Sequence, residues 1–349
     1  MHITQGPQYN GKASKRLHVM AKPIGAACNI DCTYCYYLSK QDLLEYKKGC
    51  SPKMDDETLE TYIRQYIEGQ NTPEIIFSWQ GGEPTMLGLE YFQKIVELQK
   101  KYQPQGVVIS NDLQTNGTLL NDEWCQFLAE NNFLIGLSID GPELLHNTYR
   151  TNKAGRGTFK QVMAAVDLLH KHQVKFATLT CVNNLTSQNP LEVYRFLRDV
   201  VKSPQMQFIP IVEQKTFRTV APQTSEFDAQ LVQGDKRLIP GHKDSVMESW
   251  CVSDLAWGNF LIAVFDEWAR NDYKFACHGE CPKDRFIKTR DGESGLNYLC
   301  AGWHKFFSHV DKSMAYILRA MGHPVAHGKY SDAVLIAKRR QQPTFETKF

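Results

Sequence analysis

Three thiols stand close together near the start of the chain, in Cys28-Asn29-Ile30-Asp31-Cys32-Thr33-Tyr34-Cys35, with gaps of three and two residues. A loop so dense in soft donors can grip an iron-sulfur cluster. Cubane [4Fe-4S] clusters are ordinarily held by four Cys thiolates, so a loop with three leaves one iron open to a small-molecule ligand. Two other readings exist. A structural zinc site wants four Cys or His ligands, and the nearest preceding histidine, His18, falls in a strand-like stretch. Unligated thiols are common in a reducing compartment but have no reason to adopt this spacing. A second constellation, Gln80-Gly81-Gly82-Glu83-Pro84, follows a short apolar run. Its glycines permit close backbone approach to a partner, although an ordinary turn would use the same residues. A third, Ser138-Ile139-Asp140-Gly141-Pro142 with His146, Asn147 and Arg150, closes another apolar run. Arg150 there can fork around a carboxylate or join a surface ion pair.

These groups need a frame that delivers them to one place. Residues 16–23 alternate in strand fashion and run straight into the cysteine loop. Beyond it, helical spacing over 55–68, 91–102, 122–130, 158–172 and 191–201 alternates with strand-like runs at 74–79, 107–113, 133–139, 175–182 and 206–212. Regular strand-helix alternation implies a parallel sheet, with active residues gathered at the strands' C-terminal ends. The periodicity fits an open sheet as well as a partial barrel. Residues 213–250 are polar and hold Pro222, Pro240 and Gly241, the composition of a long loop over the mouth. Residues 256–270 then read as an amphipathic helix.

At 349 residues and 42% hydrophobic content the chain is globular and long enough for a large α/β domain with an appendage. Forty basic against 38 acidic side chains leave a formal charge of +2, without the basic excess of a nucleic-acid binder. The first seventeen residues lack the apolar core of a signal peptide, and no apolar run is long enough to span a membrane. Ten Cys in this setting argue for a reducing cytoplasm and metal ligation rather than a disulfide framework. Cys50, Cys125, Cys181 and Cys251 have no partner spacing and read as ordinary thiols.

The Cys-x3-Cys-x2-Cys run followed by Tyr36, together with Gly81-Gly82-Glu83-Pro84, resembles the signature of the radical S-adenosylmethionine (SAM) enzymes. Met20-Ala21-Lys22-Pro23, Phe77-Ser78-Trp79-Gln80, Gln114-Thr115-Asn116-Gly117 and Gln207-Phe208-Ile209-Pro210 are similar to one branch of them, the anaerobic sulfatase-maturating enzymes. The similarity runs over residues 17–270 and again over 277–307. It implies a partial (β/α)6 barrel with a truncated C-terminal extension, divided as a core of residues 1–270 and a remnant domain of 271–349. It implies one [4Fe-4S] cluster on Cys28, Cys32 and Cys35, with the SAM methionine group at the fourth site. By the same resemblance Tyr34, Gly81, Gly82, Glu83, Ser138, Arg150 and Val212 contact SAM, and the glycine-rich backbone receives its ammonium. Tyr37 and Gln80 match positions beside the target side chain. The implied reaction is oxidation of a Cys or Ser of a sulfatase to Cα-formylglycine, with a low-potential flavodoxin- or ferredoxin-like electron donor.

One part of the pattern is incomplete. The family carries two auxiliary clusters on a Cys-x2-Cys-x5-Cys-x3-Cys run and one later Cys. Here Cys277 and Cys281 match the final pair and Cys300 the last ligand, while Trp268 and Asn271 occupy the positions of the first two. The earlier auxiliary cysteines and the family's general-base aspartate are absent too, as if a small domain were deleted near Phe275. The resemblance therefore implies that Cys277, Cys281 and Cys300 are unligated. The chain is expected to cleave SAM and to form little or no formylglycine, for want of the base and of an electron path. The competing expectations are a degenerate SAM- or peptide-binding paralogue, another radical SAM peptide-modifying enzyme, and a zinc module.

Overall fold

The computed structural model describes residues 11–13, 15–38, 40, 53–218, 231–270, 287–288, 294–296, 298–299, 302, 305–306, 309–310 and 314. The first half alternates strands and helices: β1 (Met20–Ala21), β2 (Ile30–Cys32), α1 (Asp56–Glu68), β3 (Glu74–Trp79), α2 (Leu89–Tyr102), β4 (Val108–Thr115), α3 (Asp122–Glu130) and β5 (Leu134–Ser138). Then follow α4 (Glu143–Tyr149), β6 (Arg150–Asn152), α5 (Phe159–Lys171), β7 (Lys175–Val182), α6 (Pro190–Arg195), β8 (Met206–Pro210) and α7 (Asp254–Arg270), with a short antiparallel pair β9 (Ile287–Lys288) and β10 (Ser294–Leu296). The sequence predicts one helix over 191–201; the structure breaks it at Phe196, where a π-helical turn, Phe196–Val200, takes over.

The main sheet has six strands in the order β1-β3-β4-β5-β7-β8, and the pairs from β1 to β7 are all parallel. This is the α/β architecture with a parallel sheet that the alternation predicts. Helix starts are written locally. The Asp55 side chain accepts from the amide of Thr58 at 2.8 Å and Asn121 from that of Trp124 at 2.9 Å, each capping an N-terminus whose first turn is acidic. Leu59, Ile63, Tyr66 and Ile67 line the buried stripe of α1.

The two faces of the sheet differ. Phe77 and Trp79 of β3 stack with 5.8 Å between ring centroids and meet Tyr62 and Tyr66 of α1 and Phe92 of α2 edge-on. Successive strand residues point to opposite faces, so Ser78 and Gln80, and with them Ser110, Asp112 and Gln114 of β4, lie on the face away from these helices.

The chain divides into two compact units. Residues 1–180, 196–207 and 218–220 form the first; residues 181–195, 208–217 and 221 onward form the second. In the second, Phe208 meets Phe260 at 5.1 Å and Arg195 grips Glu267 by two hydrogen bonds of 3.0 and 3.1 Å. The segment 213–250 carries two short 3-10 helices, Lys215–Arg218 and Lys236–Leu238, among its described residues.

Candidate functional site

The first unit supplies the strand and turn contacts of the cysteine loop. The chain leaves β1, turns, and enters β2, which pairs antiparallel with β6 so that Cys32 lies opposite Arg150. The amide of Thr33 donates to the Tyr149 carbonyl at 2.9 Å, and the Cys35 amide turns back to the Cys32 carbonyl at 3.0 Å. The sequence showed no sign of this strand pair.

The three thiols are electrostatic neighbours. Burial, with Glu83 and Cys35 adding to it, pushes the Cys28 thiol up to about 11; burial, with Cys35, Asp140 and Cys28, pushes Cys32 higher still, while Arg150 pulls it back. Buried, mutually repelling thiolates need positive charge to stay ionised, and iron supplies it. Among the described residues no three His, Cys, Asp or Glu are gathered closely enough to hold one metal ion.

The glycine-rich motif packs backbone against backbone on the approach to Cys28. Gly82 donates to the Gly25 carbonyl at 2.8 Å and Glu83 to the Ala27 carbonyl at 2.9 Å. A Cβ on Gly82 would sit 1.9 Å from the Ala27 oxygen, and Gly81 has φ +139° with the Gly25 oxygen 2.9 Å from an added Cβ. Only glycine fits at either place. With these two amide hydrogens engaged, carbonyl oxygens are what this backbone offers, the correct polarity for an ammonium.

Glu83 works on the protein itself. Its buried carboxylate accepts from the Thr85 amide (3.1 Å), the hydroxyls of Thr85 (2.6 Å) and Thr115 (2.7 Å) and the Asn116 amide (2.7 Å). Burial raises its pKa against the pull of those donors. The carboxylate thereby ties the end of β3 to the end of β4. Asn116 extends the tie to the cysteines: its Nδ2 reaches Asn29 Oδ1 at 2.9 Å and Cys28 Sγ at 3.8 Å, and Asn29 in turn donates to Thr118 at 2.8 Å.

Asp140 is the hub that sequence reasoning missed. It is fully buried, accepts from Arg150 Nε and an Nη at 2.9 and 3.1 Å, and takes a short hydrogen bond from the Tyr34 hydroxyl. The Arg150 guanidinium also lies 5.5 Å from the centroid of the Tyr34 ring. Behind Asp140, its amide donates to His146 Nδ1 at 3.3 Å, His146 Nε2 bonds Thr158 at 3.0 Å, and the Thr158 hydroxyl donates to the Arg150 carbonyl at 2.9 Å. Burial lowers the His146 pKa to about 4. Tyr34 and Arg150, expected from the resemblance as ligand contacts, are thus set in place by one carboxylate.

The remaining expected residues are placed as follows. Ser138 is buried at the C-terminal end of β5. Gln80 is half-buried, with its amide bonded to the Ala21 carbonyl at 2.9 Å. Tyr37 is half-buried beneath Lys22, whose ammonium lies 4.2 Å from the ring centroid; burial lowers the Lys22 pKa while the nearby Cys35 raises it. Val212 is buried in the second unit, between an Ile211 amide bonded to Val182 and a Glu213 amide bonded to the Cys251 sulfur at 3.1 Å. Cys50, Cys277, Cys281 and Cys300 lie outside the described residues.

Against known proteins, a family model described as the radical SAM superfamily matches residues 23–197. The chain is 35% identical to the serine-type anaerobic sulfatase-maturating enzyme of Bacteroides thetaiotaomicron, over 88% of this chain and 92% of that enzyme. That alignment spans 399 positions, more than this chain has residues, so the relative contains stretches with no counterpart here. Identity is 33% to the serine-type enzyme of Klebsiella aerogenes, over 86% of this chain and 62% of that enzyme. It is 40% to a cysteine-type enzyme of Clostridium perfringens, over 52% of this chain and 49% of that one. Among solved structures, native anSMEcpe with bound AdoMet shares the fold at a TM-score of 0.69, with 24% identity over 85% of this chain and 98% of that chain.

Proposed function

The chain belongs to the radical SAM superfamily, and on that premise we propose that it is an oxidoreductase of the anaerobic sulfatase-maturase type. The substrate would be a sulfatase segment bearing a Cys or Ser, oxidised at Cβ to formylglycine. The observation that carries the reading is the interlock at the cysteine loop. The glycine motif is fitted to residues 25–27, Glu83 from the end of β3 holds Asn116 at the end of β4 against Cys28, and Asp140 aligns Tyr34 and Arg150 opposite Cys32.

Cys28, Cys32 and Cys35 would hold the cluster, which when bound supplies the electron that splits SAM into methionine and a hydrogen-abstracting deoxyadenosyl radical. The residues around it bind and orient. Gly81 and Gly82 present carbonyls to the ammonium of SAM, Arg150 offers N–H donors held in a fixed plane by Asp140, and Ser138 offers a hydroxyl from β5. Val212 belongs to the adenine contact in this reading. Tyr37 and Gln80 stand on the substrate side. Relatives of both the serine and the cysteine type match, and no residue placed here assigns the choice between the two targets. The division into a core of 1–270 and a remnant of 271–349, the low-potential electron donor and the cytoplasmic location belong to the same proposal. Among the described residues no helix is long and apolar enough to cross a membrane.

Anaerobic reconstitution followed by reduction with SAM and either a Cys or a Ser peptide tests it, with 5'-deoxyadenosine and formylglycine measured by mass spectrometry in one reaction. The expected result is sustained 5'-deoxyadenosine with formylglycine at a small fraction of it, and loss of both in Cys32→Ala. A degenerate SAM-binding paralogue, favoured by the missing stretches relative to the Bacteroides enzyme, would cleave SAM and oxidise no peptide.

A further inference from the structure

On the sheet face turned away from α1 and α2, three side chains outside the cluster site form a continuous chain. His18 Nε2 lies 2.6 Å from Ser78 Oγ, and Ser78 Oγ donates to Asp112 Oδ2 at 2.6 Å. Parallel pairing sets up the contact, since Ser78 lies opposite Met20 on one side and Asp112 on the other. The Tyr66 hydroxyl pins the segment that carries His18, accepting from the Val19 amide at 3.3 Å and donating to the Leu17 carbonyl at 2.6 Å. The trio spans environments: His18 is exposed, Ser78 is buried, and Asp112 is half-buried. Gln80 and Gln114 follow Ser78 and Asp112 by two residues on the same face, one strand repeat of roughly 6.6 Å nearer the strands' C-terminal ends. Gln80 is the residue assigned to the substrate side.

We propose that His18, Ser78 and Asp112 form a proton relay that takes a proton from substrate at the inner face of the sheet and releases it to solvent. The proposal rests on the maturase reading. Once Cβ has lost a hydrogen atom, the substrate must still give up the proton of its thiol or hydroxyl and one electron. The Asp112 carboxylate receives that proton, directly or through one water. Protonation of Asp112 reverses the bond to Ser78: the carboxyl now donates to Ser78 Oγ, the hydroxyl turns from Asp112 to His18 in its Nδ1–H tautomer and passes its own proton to Nε2 as it takes the carboxyl's, and the ring releases the Nδ1 proton to water. The electron leaves separately to an external ferredoxin-like protein, since this chain is expected to hold no auxiliary cluster, and does not pass along the relay.

The surroundings suit a proton acceptor. Burial raises the Asp112 pKa, opposed by the Ser78 hydrogen bond and by His18. The other charges facing it come from the opposite end of the strands, where Arg16 pairs with Glu74 and Ser110 also bonds Glu74. β5 brings Leu134 opposite Asp112 and no charge, and α1 brings the Tyr66 hydroxyl. A purely structural trio would also join β1 to β3 and β4, and the test separates the two roles.

The experiment measures formylglycine per 5'-deoxyadenosine across pH for wild type, Asp112→Asn and His18→Gln, both variants keeping shape and a hydrogen-bonding partner for Ser78. If the relay operates, Asp112→Asn leaves 5'-deoxyadenosine within about twofold while the ratio falls at least tenfold, general-base assistance being worth about a hundredfold or more. The wild-type ratio declines on acidification as Asp112 protonates, and the Asn variant loses that dependence. His18→Gln lowers the ratio and moves its pH dependence, and serves alone if Asp112→Asn does not accumulate folded. Variants with wild-type ratios and pH profiles overturn the relay while the maturase reading stands. A wild type that cleaves SAM and oxidises nothing overturns both.

Discussion

His146 holds a neutral ring for a geometric reason: its Nδ1 already accepts the amide hydrogen of Asp140, so a second proton there would meet an N–H head-on. Its folded pKa of about 4 lies below the ordinary value of 6.5. The sign of the linkage follows. Above pH 6.5 both folded and unfolded rings are neutral and nothing is lost. Between pH 6.5 and 4 the unfolded chain binds a proton that the folded one refuses, so stability falls by up to about 3 kcal/mol, at about 1.4 kcal/mol per unit. Urea unfolding at pH 7 and pH 4.5 is expected to show the drop, and His146→Gln to reduce it. Glu83 makes the complementary case. Glu83→Ala would strand the donors of Thr85, Thr115 and Asn116 in a buried place, at about 3 kcal/mol or more, and is expected to lower iron incorporation through Asn116. Urea denaturation and an iron count check it; a loss under 1 kcal/mol would refute the bracing role. Residue types announced Cys28, Cys32, Cys35, Glu83 and Arg150 as candidates. Asp140 stayed hidden because its importance lies in Tyr34, 106 positions earlier, and no local pattern records that distance.

At the scale of elements, alternation made the sheet legible. The expected spans 122–130 and 175–182 coincide with α3 and β7, because capping residues and strictly apolar faces are local properties. The β2–β6 pairing was not legible, since two three-residue strands have no period to detect. Glycines separate packing from conformation. Gly82→Ala puts a methyl group 1.9 Å from a backbone oxygen, and backbone cannot swing aside, so reconstituted protein is expected to carry well under half the wild-type iron. Gly88→Ala makes the contrast: its φ of +85° is strained for alanine, yet nothing lies within 4 Å of the new methyl. A loss of about 1 kcal/mol with normal iron is expected there. Equal iron content in the two variants would contradict the fit of the motif to the cysteine loop.

For the whole molecule, composition showed no basic excess of the kind that marks nucleic-acid binders, and the family resemblance ran through most of the chain. The proposed reading makes Cys277, Cys281 and Cys300 a question of inventory: by the family resemblance each lacks partners that its counterpart would need. Replacing all three by Ala is expected to leave about four irons per chain and an unchanged rate of 5'-deoxyadenosine formation. Anaerobic iron and sulfide analysis decides it, and a loss of about half the iron would show a second cluster.

The pairing of β2 with β6 also sets a timetable for manufacture. Thr151 reaches the carbonyl of Asp31 across 120 residues of chain, and Cys32 acquires its facing strand only when Arg150 has been made. At about ten residues per second, the cysteines emerge from the ribosome roughly ten seconds before the strand that shapes their loop. Through that interval they are an unstructured run of oxidisable thiols, so metal delivery has to follow synthesis of the first half of the protein instead of accompanying it.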